Sequence, residues 1–394
     1  MKGISKKIFA DSAINTGRQT EFDYLKGLLW LVILFIHAFQ IAGIGAGIES
    51  TAYKTIFSIF SMTGAPVFLF VLGMGTRYSN AGIPEMLRSG GKLFSYQYLS
   101  NIAFVAAILL PFFVMSLFGD MSEHLESVTG AGISQVAVVY LLYINIFFLA
   151  GGIYMVLALL KKLKSPVWLY AVLGFVINIF SPMLIGLSTG IFPVDYVLGG
   201  IVGGSPFASF SILNYLPYAF FGVAFGELLK RVADKKRFYA LCCSLSAVLL
   251  AIFSIWAFWS HAGMTELYEY ISTTYTKPDF MRTIANTSGV IMTAGILFFL
   301  SSIITKLGAV HRLLMYYSKH ISKYYAVHLP FFALAFGFNS FTSFGFWGCV
   351  ALFVINIFCC DAIVRLYNRF SEKRKKQKEL RNELPLQENV QEKA

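Results

Sequence analysis

Residues 23–39 read DYLKGLLWLVILFIHAF, a run that is apolar almost throughout but begins with Asp23 and Lys26 and carries His37 near its end. A run of this length and composition predicts a helix that crosses a lipid bilayer. Ionisable side chains are unfavourable inside a membrane and are seldom kept there without a use. The three polar residues therefore make this helix a candidate for function as well as for fold.

These three polar side chains are predicted to share one stripe of the helix. An α-helix turns about 100° and rises about 1.5 Å per residue, so Lys26 and His37 point to the same side about 16 Å apart along the axis. Asp23 lies within about 40° of that direction. Asp23 is too far from His37 to hydrogen-bond it, which excludes a Ser-His-Asp type of relay between them. The stripe therefore has two charged residues, Asp23 and Lys26, at the N-terminal end of the helix, which we call its foot. The imidazole of His37 lies in the opposite half of the helix.

The composition extends this prediction to the whole chain. Of 394 residues, 57% are hydrophobic and only 13% are charged, and the mean hydropathy is +0.67. A soluble domain has about a quarter of its residues charged. The chain is therefore predicted to be an all-α, polytopic membrane bundle. About ten apolar runs could span the bilayer: 22–44, 52–76, 93–117, 134–160, 166–189, 210–229, 238–260, 286–305, 321–339 and 343–367.

The basic residues predict the orientation of these spans. With the N-terminus in the cytoplasm, the 32 Lys and Arg residues all fall inside except Lys54, Lys277 and Arg282. The positive-inside rule then places both termini in the cytoplasm. The net charge of +12 follows from this topology, so nucleic acid is not an expected partner. The first 21 residues lack a small-residue cleavage site, and no removable signal peptide is predicted.

Three segments follow from this pattern. Residues 1–21 form a cytoplasmic N-terminal segment, 22–370 a single membrane domain, and 371–394 a charged cytoplasmic tail that is predicted to be disordered or a frayed helix. No internal repeat is apparent. The cysteines lie inside apolar runs without metal-ligand spacing, so packing is expected for them, with no disulfide and no metal site: Cys242, Cys243, Cys349, Cys359 and Cys360.

Other ionisable residues, outside this helix, are further candidates. Arg77, Arg88 and Lys92 are predicted to form the inner loop after the second span, where they either grip phosphates or only obey the positive-inside rule. His328 lies about seven residues into a late span, so its depth relative to His37 stays open. Asp361 and Arg365, four residues apart, are predicted to form a structural ion pair.

The stripe admits two hypotheses. In one, Asp23 and Lys26 form an ordinary interfacial pair and His37 bonds a neighbouring helix. In the other, a long polar molecule lies beside the helix, with its phosphates at the foot and its reactive end at the histidine. Coenzyme A has this shape, because it carries a charged nucleotide on a pantetheine arm of comparable length.

The arrangement of an Asp, a base followed by Gly, and a His eleven residues after the base resembles the opening span of the transmembrane acyltransferases. These include the acyltransferase-three proteins and the heparan-alpha-glucosaminide N-acetyltransferase-like group, in which the base is usually Arg. Four further stretches are similar to motifs of these proteins: PVFLFVLGMGTRYSN (66–80), LYINIFFLAGGIYMVLALLKKL (142–163), NYLPYAFFGVAFGEL (214–228) and KHISKYYAVHLPFF (319–332).

The resemblance implies a plasma-membrane enzyme with an acyltransferase-like domain over 22–370. It would move an acyl group, most simply acetyl, from cytoplasmic acyl-CoA as co-substrate to a hydroxyl or amine of a glycan or lipid-linked saccharide outside. No tightly bound cofactor is expected. His37 would act as general base or carry the acyl group, and Asp23 would orient Lys26. The nucleotide end would be held by Lys26, Arg77, Arg88 and Lys92.

The remaining expectations concern the acceptor side and the alternatives. The outer loops 190–209 and 261–285 would shape the acceptor site, and His328 is a second-site or pore candidate expected to matter less than His37. A transporter or flippase would instead use His37 and His328 in a proton or solute path. The absence of inverted repeats and of paired broken spans argues against it. A non-catalytic relative with the same fold is the third hypothesis.

Overall fold

The computed structural model describes residues 8–42, 51–60, 64–117, 132–205, 207–208, 210–261, 264–339 and 345–391. The regular elements of these residues are helical, which confirms the all-α prediction for them. In chain order the α-helices are α1 (Thr20–Ala42), α2 (Thr51–Phe60), α3 (Ala65–Tyr78), α4 (Ile83–Ser116), α5 (Ile133–Leu141), α6 (Ile146–Lys162), α7 (Val167–Phe180), α8 (Phe192–Val202), α9 (Ile212–Lys230), α10 (Lys235–Ser260), α11 (Met264–Thr276), α12 (Phe280–Lys306), α13 (Gly308–Lys319), α14 (Ile321–Asn339) and α15 (Phe346–Gln391).

Within the described chain, seven helices are long and apolar enough to cross a membrane: α1, α4, α7 with the 3₁₀ turn after it, α9, α10, α12 and α15. Three of the predicted runs do not form a single helix of this kind. Run 52–76 is divided between α2 and α3, and run 134–160 is divided between α5 and α6. Helix α14 covers run 321–339 but carries Lys323 and His328, which lower its hydropathy. Hydropathy reports composition alone, so it does not detect a break inside an apolar run.

Helix α1 lies at the centre of the protein. Its Leu25, Leu29 and Ile33 join a core formed with α3, α6 and α9, whereas Trp30 and Leu34 join a second core formed with α14 and α15. Helices α1 and α9 are mostly buried inside the protein, while α7, α10 and α15 leave most of their apolar surface exposed. The central helices thus carry internal contacts and the peripheral ones present a surface suited to lipid.

The charged tail, predicted to be disordered or a frayed helix, is helical as far as Gln391. Helix α15 continues from the apolar span through the charged segment to Gln391, and the side chains over 371–377 are exposed. The segment is rich in Glu, Lys, Arg and Gln, which all have high helix propensity. This propensity accounts for a helix that has no apolar stripe to bury.

Helices α3 and α9 pack unusually close together through glycines. A Cβ added to Gly73 would lie 1.9 Å from the backbone oxygen of Ala219, and one added to Gly222 would lie 2.0 Å from that of Phe70. Residues 66–80 and 214–228, which the sequence relates to two separate motifs, therefore form one packing unit.

We expect Gly73→Ala to separate α3 from α9 and to destabilise the protein by about 1–3 kcal/mol or more, as overpacking does. Gly75→Ala is the matched control on the same helix, because a Cβ there meets nothing within 4 Å. It should leave stability unchanged or raise it by about 0.5–1 kcal/mol. Thermal unfolding of both variants in detergent is the measurement. Equal melting temperatures would contradict the close contact.

Candidate active site

Asp23 is buried at the foot of α1, where three side chains contact its carboxylate. Arg18 Nε donates to Oδ2 at 2.5 Å, Ser318 Oγ donates to Oδ1 at 2.7 Å, and Lys26 Nζ lies 3.0 Å from Oδ1. Ser318 belongs to α13, so Asp23 ties the start of α1 to that helix. The predicted pairing of Asp23 with Lys26 is present, and Lys26 remains partly exposed. Neither Arg18 nor Ser318 was expected from sequence, because neither lies on the stripe.

Arg77 already has a carboxylate partner. It lies in the last turn of α3, and its Nε and Nη2 donate to Oε2 of Glu227 on α9 at 3.0 and 2.6 Å. Arg231 lies 3.6 Å from the other oxygen of Glu227. The pairing joins residues 150 positions apart, which a sequence pattern does not reveal.

Arg88 and Lys92 do not form a loop with Arg77, contrary to the prediction. Both lie in the first turns of α4 and are exposed, and neither has an ion-pair partner among the described residues. Helix α4 starts at Ile83, ahead of the apolar run, because Pro84 and Glu85 are favourable in a first turn. The four basic residues proposed from sequence are thus distributed over α1, α3 and α4.

His37 and His328 lie side by side. Their ring centroids are 5.4 Å apart and the ring planes are inclined by 30°. The sequence left the depth of His328 relative to His37 open, and the structure places the two histidines at the same level. Helix α13 packs along the N-terminal part of α1, so α14 begins beside the middle of α1. The ring centroids of Trp30 on α1 and Tyr324 on α14 are 4.8 Å apart. A residue only seven positions into α14 therefore reaches the depth of His37.

The two histidines line a cavity of about 500 Å³. Its walls come from α1, α4, the segment between α5 and α6, α11 and α14. Polar groups contributed by these elements are Gln40, Ser100, Asn101, Tyr140, Tyr143, Asn145, Ser272, Thr276 and Tyr325. The volume is sufficient for a small polar group together with water, or for the reacting ends of two substrates.

The ring nitrogens of both histidines are incompletely satisfied. His328 Nδ1 lies 3.1 Å from the backbone oxygen of Tyr324. A carbonyl only accepts, so Nδ1 carries the proton and Nε2 keeps a lone pair. His328 Nε2 and His37 Nδ1 are buried and find no hydrogen-bond partner among the described residues. Buried polar atoms are normally bonded, and each unmet one costs about 1–3 kcal/mol.

The break between α5 and α6 supplies one wall of the cavity. Asn145 caps α6 by accepting from the backbone N–H of Phe147 at 2.8 Å, and its Nδ2 donates to Ser100 and Asn101 at 3.1 Å. Asn101 donates in turn to the backbone oxygen of Tyr143 at 2.7 Å. Unwound backbone is tolerated at membrane depth only where protein or a polar cavity satisfies it. This network provides hydrogen bonds to the unwound backbone between α5 and α6 and fixes the position of the wall.

Sequence reasoning missed this network, although a signal was present. Gln97, Ser100 and Asn101 occupy positions i, i+3 and i+4 of an otherwise apolar run, which puts them on one helix face. Of the two outer loops proposed for the acceptor, 261–285 contributes Ser272 and Thr276 to the cavity. Segment 190–209 contributes no lining residue among those described, and Phe210 just after it does.

Two further expectations concern pairs and thiols. Arg365 Nε lies 2.6 Å from Asp361, which confirms the predicted ion pair, and Tyr324 also donates to Asp361 at 2.7 Å. The five cysteines are free thiols. In the described part of the chain, no group of three or more His, Cys, Asp or Glu residues is arranged to hold a metal ion.

The resemblance to transmembrane acyltransferases rests on the motifs given above. In the structure, residues 23–39 and 319–332 meet at the two histidines, and 142–163 provides the adjoining wall. No family model, no curated protein and no solved structure matches this chain.

Proposed function

We propose that the protein is a membrane-embedded acyltransferase. It transfers an acyl group, most simply acetyl, from acyl-CoA to a hydroxyl or amine of a glycan or lipid-linked saccharide. The observation that carries the proposal is the pair of adjacent histidines with unbonded ring nitrogens in a cavity of about 500 Å³. Acyl transfer needs an imidazole at the acceptor and space for two reacting groups, and the placement of both histidines on this cavity supports the proposal.

In the proposed reaction His37 is the general base. It takes the proton of the acceptor O–H or N–H as the acceptor oxygen or nitrogen attacks the thioester carbonyl. The new bond to carbon forms, the carbon–sulfur bond breaks, and the departing thiolate receives the proton from the imidazolium. A variant in which His37 itself carries the acyl group uses the same geometry in two steps. His328 keeps an acceptor nitrogen beside His37, so it can orient the acceptor or stabilise the protonated His37.

The donor is proposed to approach from the basic ends of the helices. Lys26 lies about 16 Å below His37 along α1, a distance that a pantetheine arm can bridge. Asp23 holds Lys26, and Arg77, Arg88 and Lys92 add positive charge on α3 and α4. Charge-assisted contacts from such residues suit nucleotide phosphates.

If Lys26 meets acyl-CoA, Lys26→Ala should raise the KM for acetyl-CoA by about three- to tenfold, since a partly exposed charged contact is worth roughly 1 kcal/mol. Arg18 and Ser318 still hold Asp23 in that variant. Lys26→Arg is the matched control and should keep most of the affinity, which should weaken with added salt. Equal KM values for wild type and Lys26→Ala would leave Lys26 as a structural residue.

The proposed topology has about ten spans in the plasma membrane with both termini in the cytoplasm. Each broken run counts as one span, so α2 with α3 and α5 with α6 cross together. The distribution of Lys and Arg supports this orientation.

Reporter fusions test the topology directly. Fusions after Lys164, Arg237 and Lys376 should report the cytoplasm, and one at Glu266 should report the outside, because basic loops stay inside. A consistent inversion of this order would contradict donor entry at the foot of α1.

A transporter or flippase is the second candidate function, and one observation favours it. Runs 52–76 and 134–160 are both broken, and the breaks border the cavity at Ala65 and Asn145. Paired broken helices around a central site are typical of transporters. This removes one argument that the sequence offered against transport.

Donor turnover separates the two functions. Purified protein in lipid nanodiscs is given acetyl-CoA with and without membrane glycans, and the release of free CoA thiol is followed. An acyltransferase releases CoA in step with acetylation of the glycan. A transporter leaves the thioester intact.

A further inference from the structure

A second cleft lies at the opposite ends of two helices that border the histidine cavity. Helix α3 begins at the cavity with Ala65 and ends at Tyr78, and α6 begins there with Ile146 and ends at Lys162. The cleft has a volume of about 180 Å³. Its polar lining is Thr76, Arg77, Lys161, Lys164, Ser165 and Tyr170.

The cleft carries an excess of positive charge. Arg77, Lys161 and Lys164 line it. Of these, Arg77 pairs with a carboxylate, that of Glu227, at 2.6 Å, and Glu227 also lies 3.6 Å from Arg231. Lys161 Nζ donates to the backbone oxygen of Ala81 at 2.7 Å, which positions it without neutralising it. The surplus of about two charges matches a phosphate monoester, which carries about −1.5 to −2 at pH 7.

Lys164, which lines the cleft, has an unusual backbone conformation. Lys164 has a φ of 54° and is the one non-glycine residue with positive φ in the described ranges. It follows the last turn of α6, where the N–H of Ser165 donates to Leu160 and that of Lys164 donates to Lys161, both at 3.1 Å. Glycine is the usual residue at this position, because it adopts the left-handed conformation without strain. A lysine at this position is less stable in the left-handed conformation than glycine would be, and it places an ammonium group at the cleft.

We infer that this cleft binds a phosphate monoester, held by Arg77, Lys161 and Lys164 with a hydroxyl donor from Ser165. A cleft of 180 Å³ accommodates one phosphate group with water. Two molecules could present such a group: a nucleotide such as the 3′-phosphate of coenzyme A, or an anionic lipid such as phosphatidic acid. Binding at the cleft does not require acyl transfer.

The test is the stabilisation of the purified protein by inorganic phosphate, measured as melting temperature against chloride at equal ionic strength. Lys164→Gly removes the ammonium and also the backbone strain, so it should melt at or above the wild-type temperature yet bind phosphate about tenfold more weakly. Lys162→Gln is the matched control, since Lys162 is an exposed neighbour that does not line the cleft. It should bind phosphate like wild type. Equal phosphate stabilisation of wild type and Lys164→Gly would overturn the site.

Two further arms identify the source of the phosphate. Coenzyme A and dephospho-coenzyme A differ only in the 3′-phosphate, so tighter binding of the former, lost in Lys164→Gly, assigns the nucleotide. Displacement of inorganic phosphate in nanodiscs containing phosphatidic acid, but not in phosphatidylcholine alone, assigns the lipid. If neither competes with inorganic phosphate, the assignment to a phosphate monoester is wrong. These readouts involve no turnover, so they stand apart from any failure of acyltransferase activity.

Discussion

Alanine in place of His37 is expected to reduce acyl transfer by about 10²–10⁴-fold, the range that a positioned general base contributes. The melting temperature should stay close to that of wild type. His37 Nδ1 finds no hydrogen-bond partner among the described residues, so its removal leaves no partner of that nitrogen without a hydrogen bond. The binding of acyl-CoA at the basic end of α1 should also persist, because the change lies about 16 Å away.

The measurement pairs acyl transfer with thermal unfolding in detergent. Asp23→Ala is the matched control for a structural role, because Asp23 is buried and contacted by Arg18, Lys26 and Ser318. It should lose stability, by about 1–3 kcal/mol for the disrupted hydrogen bonds. If His37→Ala loses stability as Asp23→Ala does, or keeps substantial transfer, His37 is a structural residue.

The second large effect is expected for His328→Ala. Its ring lies 5.4 Å from that of His37, so we expect kcat to fall by about 10²-fold or more with the KM for acyl-CoA little changed. The sequence alone indicated a smaller loss. Residues that act as one unit are not additive, so the double variant of His37 and His328 should be no worse than the more damaged single variant.

His311→Ala is the matched control for this variant. His311 hydrogen-bonds Tyr24 at 2.8 Å and does not line the cavity. Removing it deletes the same chemical group elsewhere, so activity should be retained. Near-normal kcat in His328→Ala, or multiplicative losses in the double variant, would show that the two histidines work independently.

Periodicity and composition were sufficient for much of the fold. Each apolar run is mainly helical, although two of the runs are divided between two helices, and the stripe of α1 is present with Asp23 and Lys26 in contact. The breaks were not predictable from hydropathy, because the residues around Asn145 are as apolar as those of an unbroken span. What ends α5 there is a set of side-chain hydrogen bonds from α4, more than 40 positions earlier in the chain.

The site was predictable only in its local part. His37 stands out because it is an imidazole in a strongly apolar run. The adjacency of His328 depends on where α13 and α14 lie against α1, which is a tertiary property. The pairing of Arg77 with Glu227 likewise depends on the glycine contact of α3 with α9. Long-range packing therefore decides which of the candidate residues meet.

The central claim is that His37 drives transfer of an acyl group between two molecules in this cavity. The most direct measurement uses proteoliposomes with acetyl-CoA, labelled in its acetyl group, on one side and a saccharide acceptor on the other. Label on the saccharide and free CoA on the donor side are expected in equal amounts with wild type, and neither above background with His37→Ala. Movement of the saccharide without acetylation, or equal labelling by His37→Ala and wild type, would contradict the account.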